Sequence, residues 1–125
     1  FSVPFAVATT IVTGTSGVES FSGNALTDPH TLALAIRVTV REDHSMTAQL
    51  PDLRPASVTV FLKDGSRFQA SVETNRGDWQ DPYNQDQLIE KYQSLALRLW
   101  NETTCNQVAN QINSIEQNTD INRIF

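Results

Sequence analysis

The period of the apolar positions changes along the chain, and each change marks an element. Val3, Phe5, Ala6, Val7, Ala8, Ile11 and Val12 cover nearly the whole circumference of a helix over residues 3–13, leaving Thr9, Thr10 and Thr13 as polar positions. Ser2 is placed to cap this helix, Pro4 is tolerated in its first turn and Gly14 ends it. A helix that is apolar all round is buried on several sides, and a small domain rarely encloses its own first helix so fully. The pattern therefore predicts a partner surface, from the rest of a longer polypeptide or from another subunit. Residues 15–27 are rich in Gly, Ser and Thr and read as a loop with at most a short helical turn. Asp28 and Pro29 then supply an N-cap and a first helical residue, and Leu32, Ala33, Leu34, Ala35 and Ile36 form a brief apolar helix.

Val38 and Val40 alternate with Arg37, Thr39 and Arg41, the period of a half-buried strand. Residues 42–55 are polar and punctuated by proline, which predicts a loop. Next comes a hairpin. Val58, Val60 and Leu62 share one strand face, Asp64-Gly65 supplies a two-residue turn, and Phe68, Ala70 and Val72 share one face of the returning strand. Asn84 and Gln87 have capping-box spacing at the head of a helix whose stripe is Leu88, Ile89, Tyr92, Leu95, Ala96 and Leu99. Asn101 opens another, with Cys105, Val108, Ala109, Ile112 and Ile115 at the same spacing. Residues 119–125 predict a terminal helical turn that docks Ile121, Ile124 and Phe125. The elements sum to an α+β fold: a two-layer sandwich in which a small, mainly antiparallel sheet carries helices on one face.

Composition narrows the function classes. A chain of 125 residues has the length of a single domain and can bury a core without disulfide or metal. No apolar run reaches the roughly 18 residues that a bilayer-spanning helix needs. A formal charge of -5 with scattered basic residues argues against a nucleic-acid partner. Cys105 is the single cysteine, which excludes an intrachain disulfide and a multi-cysteine zinc site and favours a reducing, cytoplasmic compartment. The chain opens on Phe1, without an initiator Met or a signal-peptide pattern, as expected of a piece of something longer.

The candidate chemistry concentrates in residues 76–82. Arg76-Gly77-Asp78 leaves a strand and enters a helix, so Gly77 can take a positive φ while Arg76 offers a fork to a carboxylate. The competing reading is a solvated turn with a surface Arg–Asp pair. His44 beside Glu42 and Asp43 has the composition of an oriented general base but lacks a second supporting motif, and His30 has less support still. Cys105 lies on an apolar helix face and reads as core. Trp79 and Trp100 offer stacking surfaces near helix ends, and Lys91 reads as a solvated surface residue. No phosphate loop, zinc spacing or serine elbow is present.

With these elements placed, nearly the whole chain resembles the C-terminal part of the MmgE/PrpD family, which includes 2-methylcitrate dehydratases and cis-aconitate decarboxylases. The resemblance is carried by FSVPFAVATTIVTG, LTDPHTLALAIRVTV and SVTVFLKDG, then by Arg76-Gly77-Asp78, Pro82 and the helix with Leu88, Lys91, Tyr92 and Ala96. Phe5 stands where the family commonly has Tyr, and Arg76 where Lys is common before the Gly. The resemblance implies a C-terminal lid domain over residues 1–125, whose partner is a larger N-terminal helical domain of the same polypeptide. It implies an active site between the two domains acting on a small polycarboxylate, by dehydration, decarboxylation or epimerisation. It assigns no catalytic residue, cofactor or metal to this chain, and makes Ser2, Phe5, Arg76, Gly77 and Asp78 candidates for the substrate cleft or the domain interface. A homodimer is a further partner to consider, and no membrane is implied. The alternative class is a free-standing α+β module that binds a metabolite or drives oligomerisation without catalysis.

Overall fold

The Ser2 hydroxyl accepts the Phe5 amide at 3.3 Å and starts α1 (Val3–Thr13), with Pro4 in the first turn. Gly14 closes the helix at φ 74, in the left-handed region, and donates its amide to the Thr10 carbonyl at 2.9 Å. The computed structural model describes residues 2–117. Its contacts divide the chain into two units, Phe1–Asn75 and Arg76–Phe125.

In the first unit, α1 packs against α2 (Pro29–Ala35). The residues buried there are small: Ala8 and Thr9 of α1, Thr31 of α2, and Ser20 from the 3₁₀ turn Val18–Phe21. Their polar atoms are matched, as burial requires. Thr9 Oγ1 donates to the Ser20 carbonyl at 3.2 Å, and the Thr13 and Ser20 hydroxyls meet at 3.2 Å. Phe5 and Phe21 pack with tilted rings, centroids 6.1 Å apart, an arrangement aromatic pairs favour. A second 3₁₀ turn, Gly23–Thr27, fills the rest of the segment read as a loop.

The apolar circumference of α1 is only partly used. Val3, Ile11 and Val12 remain 56%, 48% and 44% exposed. The helix thus has outward apolar positions of the kind its sequence predicts for a missing partner.

Among the described residues the sheet is one antiparallel hairpin of β1 (Ala56–Phe61) and β2 (Arg67–Val72). Its register pairs Val58 with Ala70 and Val60 with Phe68, as the alternation predicts, and puts Ser57 opposite Ser71 and Thr59 opposite Gln69 on the other face. Two expectations are corrected. The turn is not the two-residue type: Leu62 donates to the Ser66 carbonyl at 2.9 Å across three residues, and only Gly65 takes a positive φ, 88. Asp64 keeps a negative φ because its carboxylate is engaged locally by the Ser66 amide and hydroxyl, at 2.8 and 2.6 Å. Nor do residues 38–40 form a strand. The end of α2 runs on into turns through Arg37 and Val38, and alternation without a neighbouring strand leaves no ladder to join.

Residues 42–55, read as a loop, contain a one-turn helix, α3 (His44–Thr47), capped by Asp43. The apolar face of the hairpin, expected beneath helices, keeps Phe68 62% exposed, with Val58 and Val72 also open. The class is nonetheless α+β: a small antiparallel sheet with helices before and after it.

The second unit holds α4 (Gln85–Ala96) and α5 (Glu102–Asn113), capped by Asn84 and Asn101 as their sequence predicts, followed by a 3₁₀ turn at Ile115–Gln117. The Tyr92 hydroxyl of α4 donates to the Cys105 carbonyl of α5 at 3.0 Å. Burial there, with the Cys105 thiol nearby, pushes the Tyr92 hydroxyl pKa above its usual value. The predicted turn over residues 119–125 lies outside the described residues. Among the described residues no helix is long and apolar enough to cross a membrane.

Three aspartates are held in their ionised form by local hydrogen bonds at helix starts and the hairpin turn. The Thr31 amide holds the Asp28 carboxyl below its usual range, the Ser45 hydroxyl does so for Asp43, and the Ser66 hydroxyl for Asp64. A depressed folded-state pKa contributes stability that is present above the unfolded value and lost as pH falls through the folded one. The N-terminal turns of α2 and α3 and the hairpin turn should therefore loosen as pH drops below about 4. Amide shifts of Thr31 followed by NMR from neutral pH downward should show this, and Asp28→Asn, which keeps a capping oxygen, should remove it at α2. An unchanged acid response in that variant would contradict the assignment.

Candidate functional site

Residues 76–92 form a closed local structure. Gly77 donates its amide to the Asp81 carbonyl at 2.8 Å, and Asp81 returns its own amide to the Asp78 carbonyl at 3.0 Å. Gly77 sits at φ 99, which L side chains avoid. A Cβ there would lie 2.6 Å from the Tyr83 ring. Pro82 and Tyr83 carry the chain to Asn84, where a complete capping box forms: the Asn84 side chain accepts the Gln87 amide at 2.9 Å, and Gln87 Oε1 accepts the Asn84 amide at 3.0 Å.

Arg76 ties the loop to this cap. Its guanidinium donates through Nη1 to Asp81 and through Nη2 to Gln87 Oε1. Its Cζ lies 5.3 Å from the centroid of the Tyr83 ring, and Lys91 Nζ lies 4.9 Å from the same centroid. The turn with an Arg–Asp pair is thus the local structure observed, with a Gln and an aromatic ring added. The fork of Arg76 is occupied by groups of its own unit. Asp78 is half-buried beside it, and Trp79 projects with 86% of its surface exposed.

Ser2 and Phe5 belong to the first unit, where Ser2 caps α1 and Phe5 packs on Phe21. The other candidates resolve more simply. His44 Nδ1 lies 3.2 Å from Glu42 Oε1, but the imidazole is 91% exposed. Asp43, the second carboxylate beside it, is committed to the Ser45 and Met46 amides of α3. Cys105 is buried, its thiol 3.9 Å from the Trp100 carbonyl, which is a core position. Between α4 and α5 lies an apolar groove of about 220 Å³, lined by Leu88, Ile89, Tyr92, Ala109 and Ile112.

The sequence analysis does not single out Tyr83, and it takes Lys91 for a solvated residue. Lys91 follows Tyr83 by eight residues, two helical turns into α4, a separation at which periodicity gives no hint of contact.

The profile of the MmgE/PrpD C-terminal domain matches residues 1–117. A comparison with curated protein sequences finds no match.

Two substitutions test this local structure. Gly77→Ala should cost more than about 1 kcal/mol, since it places a side chain at positive φ and against the Tyr83 ring. Urea unfolding followed by Trp79 and Trp100 fluorescence would measure it, and unchanged stability would refute the close approach. By the same assay Asn84→Ala, which removes the Asn84 side-chain acceptor, should cost about 1 kcal/mol, whereas Asn84→Ser should cost much less.

Proposed function

Because the chain belongs to the MmgE/PrpD C-terminal domain family, we propose that it forms one wall of the active-site cleft of a larger enzyme acting on small polycarboxylic acids. Dehydration of a 2-methylcitrate-like substrate is the first reading, with decarboxylation and epimerisation as the other reactions the family resemblance implies. The observation that carries the reading is the family match, which spans all but the last eight residues.

The local chemistry supports a role as cleft wall or interface. Removing water from a hydroxy acid requires one group to take a proton and another to protonate the leaving hydroxyl. Around Arg76 the side chains are engaged in holding the loop, and His44 stands in solvent against Glu42. The acid and base are therefore assigned to the N-terminal helical domain that the family implies. Ser2, Phe5, Arg76, Gly77 and Asp78 are assigned to the cleft wall or the interface, acting through the loop and helix ends they hold in place. A free-standing module would need its apolar faces closed within the chain, whereas Val3, Ile11 and Val12 stay open. We place the enzyme in the cytoplasm, where the lone thiol of Cys105 stays reduced.

The test compares two polypeptides, the 125-residue chain and the same chain preceded by its helical domain. Formation of the unsaturated product from 2-methylcitrate is followed by ultraviolet absorbance. The chain alone should give no turnover and the longer polypeptide should be active. Enzyme-like rates from the isolated chain would overturn the reading, as would a longer polypeptide inert toward every polycarboxylate offered.

A further inference from the structure

Two cationic side chains converge on one aromatic ring in a chain that is acidic overall. Arg76 Cζ and Lys91 Nζ lie 5.3 and 4.9 Å from the centroid of Tyr83, so the two charges are no farther apart than the sum of these distances. Holding like charges together is unfavourable unless each finds a counter-charge, and the two differ in this respect. Arg76 is paired with Asp81 and bonded to Gln87. Lys91 makes no ion pair among the described residues, although Glu90 precedes it and the chain carries five more acidic than basic residues. The ammonium rests on the ring of Tyr83, exposed on α4.

We propose that Lys91 and Arg76, spaced by Tyr83, form a binding point for one carboxylate of a di- or tricarboxylate. Lys91 supplies the unpaired charge and the direct contact. Arg76 supplies a second positive charge nearby, while its bonds to Asp81 and Gln87 fix the ring on which Lys91 rests. This reverses the assignment drawn from sequence, in which Arg76 offers the direct contact and Lys91 is only solvated. A fork already filled by Asp81 and Gln87 has to release a partner before it can grip a ligand, whereas the ammonium does not. The polycarboxylate class of ligand rests on the functional reading above; the cationic pair rests on geometry alone.

The test is a titration of the 125-residue chain with citrate, reading the Tyr83 ring and Lys91 side-chain resonances by NMR, against sodium chloride at matched ionic strength and against sulfate. Citrate should give saturable shifts beyond those of chloride. Lys91→Gln should weaken citrate binding by roughly tenfold or more, the effect of losing a charge-assisted hydrogen bond, while Lys91→Arg retains most of it. Asp81→Asn should tighten citrate binding, because it removes a competing negative charge while its Oδ1 can still accept from Arg76 and hold the ring in place; a purely structural role for the ion pair predicts weakening there instead. No saturable response to any anion, or equal affinity in Lys91→Gln, would overturn the site and leave the catalytic reading to its own activity test. Saturation by sulfate with no response to citrate would overturn the proposal through its ligand class, and would count against the polycarboxylate reading as well.

Discussion

The described part of this chain is constrained by how little apolar surface it buries. Among the described residues the fully buried hydrophobic side chains are Ala8 and Cys105, one in each unit. Burial of apolar area is the main favourable term in folding. With so little of it, the elements are held in shape by local devices: the Ser2, Asp28, Asn84 and Asn101 caps, the ladder between β1 and β2, and the threonine and serine bonds beneath α1. These devices fix the conformation of each element without covering its apolar side. Exposed Val3, Ile11 and Val12 on α1, and Val58, Phe68 and Val72 on the hairpin, are the consequence. They are the surfaces we assign to the partner domain that the family match implies.

The loop at residues 76–84 shows the same economy. One guanidinium joins the loop carboxylate of Asp81, the capping box through Gln87 and the Tyr83 ring. Gly77 makes this possible, since its left-handed backbone turns the chain and its missing side chain leaves room for the ring. A loop tied at several points is what the proposed cleft wall would need, since a binding group is best held in place before the ligand arrives.

Much of the fold was legible because the deciding interactions lie close in sequence. Caps at Ser2, Asp28, Asn84 and Asn101 depend on residues three positions on, and the hairpin register follows from alternation. What was not legible depends on context. Residues 38–40 alternate like a strand, yet a strand needs a neighbour that the pattern does not reveal. The hairpin turn went wrong because Asp64 can serve either as a left-handed turn residue or as a local acceptor, and Ser66 decides in favour of the second. At the candidate site, the turn at Gly77 and a local Arg–Asp pair were visible in the residues of the loop. The convergence of Lys91 on Tyr83 was not, because it depends on how the loop folds back along α4.

The central claim is that the open apolar faces of this chain are completed by another domain of the same polypeptide. Hydrogen exchange of the α1 amides tests it most directly, measured on the 125-residue chain and on the polypeptide that includes the helical domain. The account predicts fast exchange from α1 in the chain alone and strong protection once the domain is joined. Equal and strong protection in both would mean that the chain stabilises its first helix unaided, and would contradict the account.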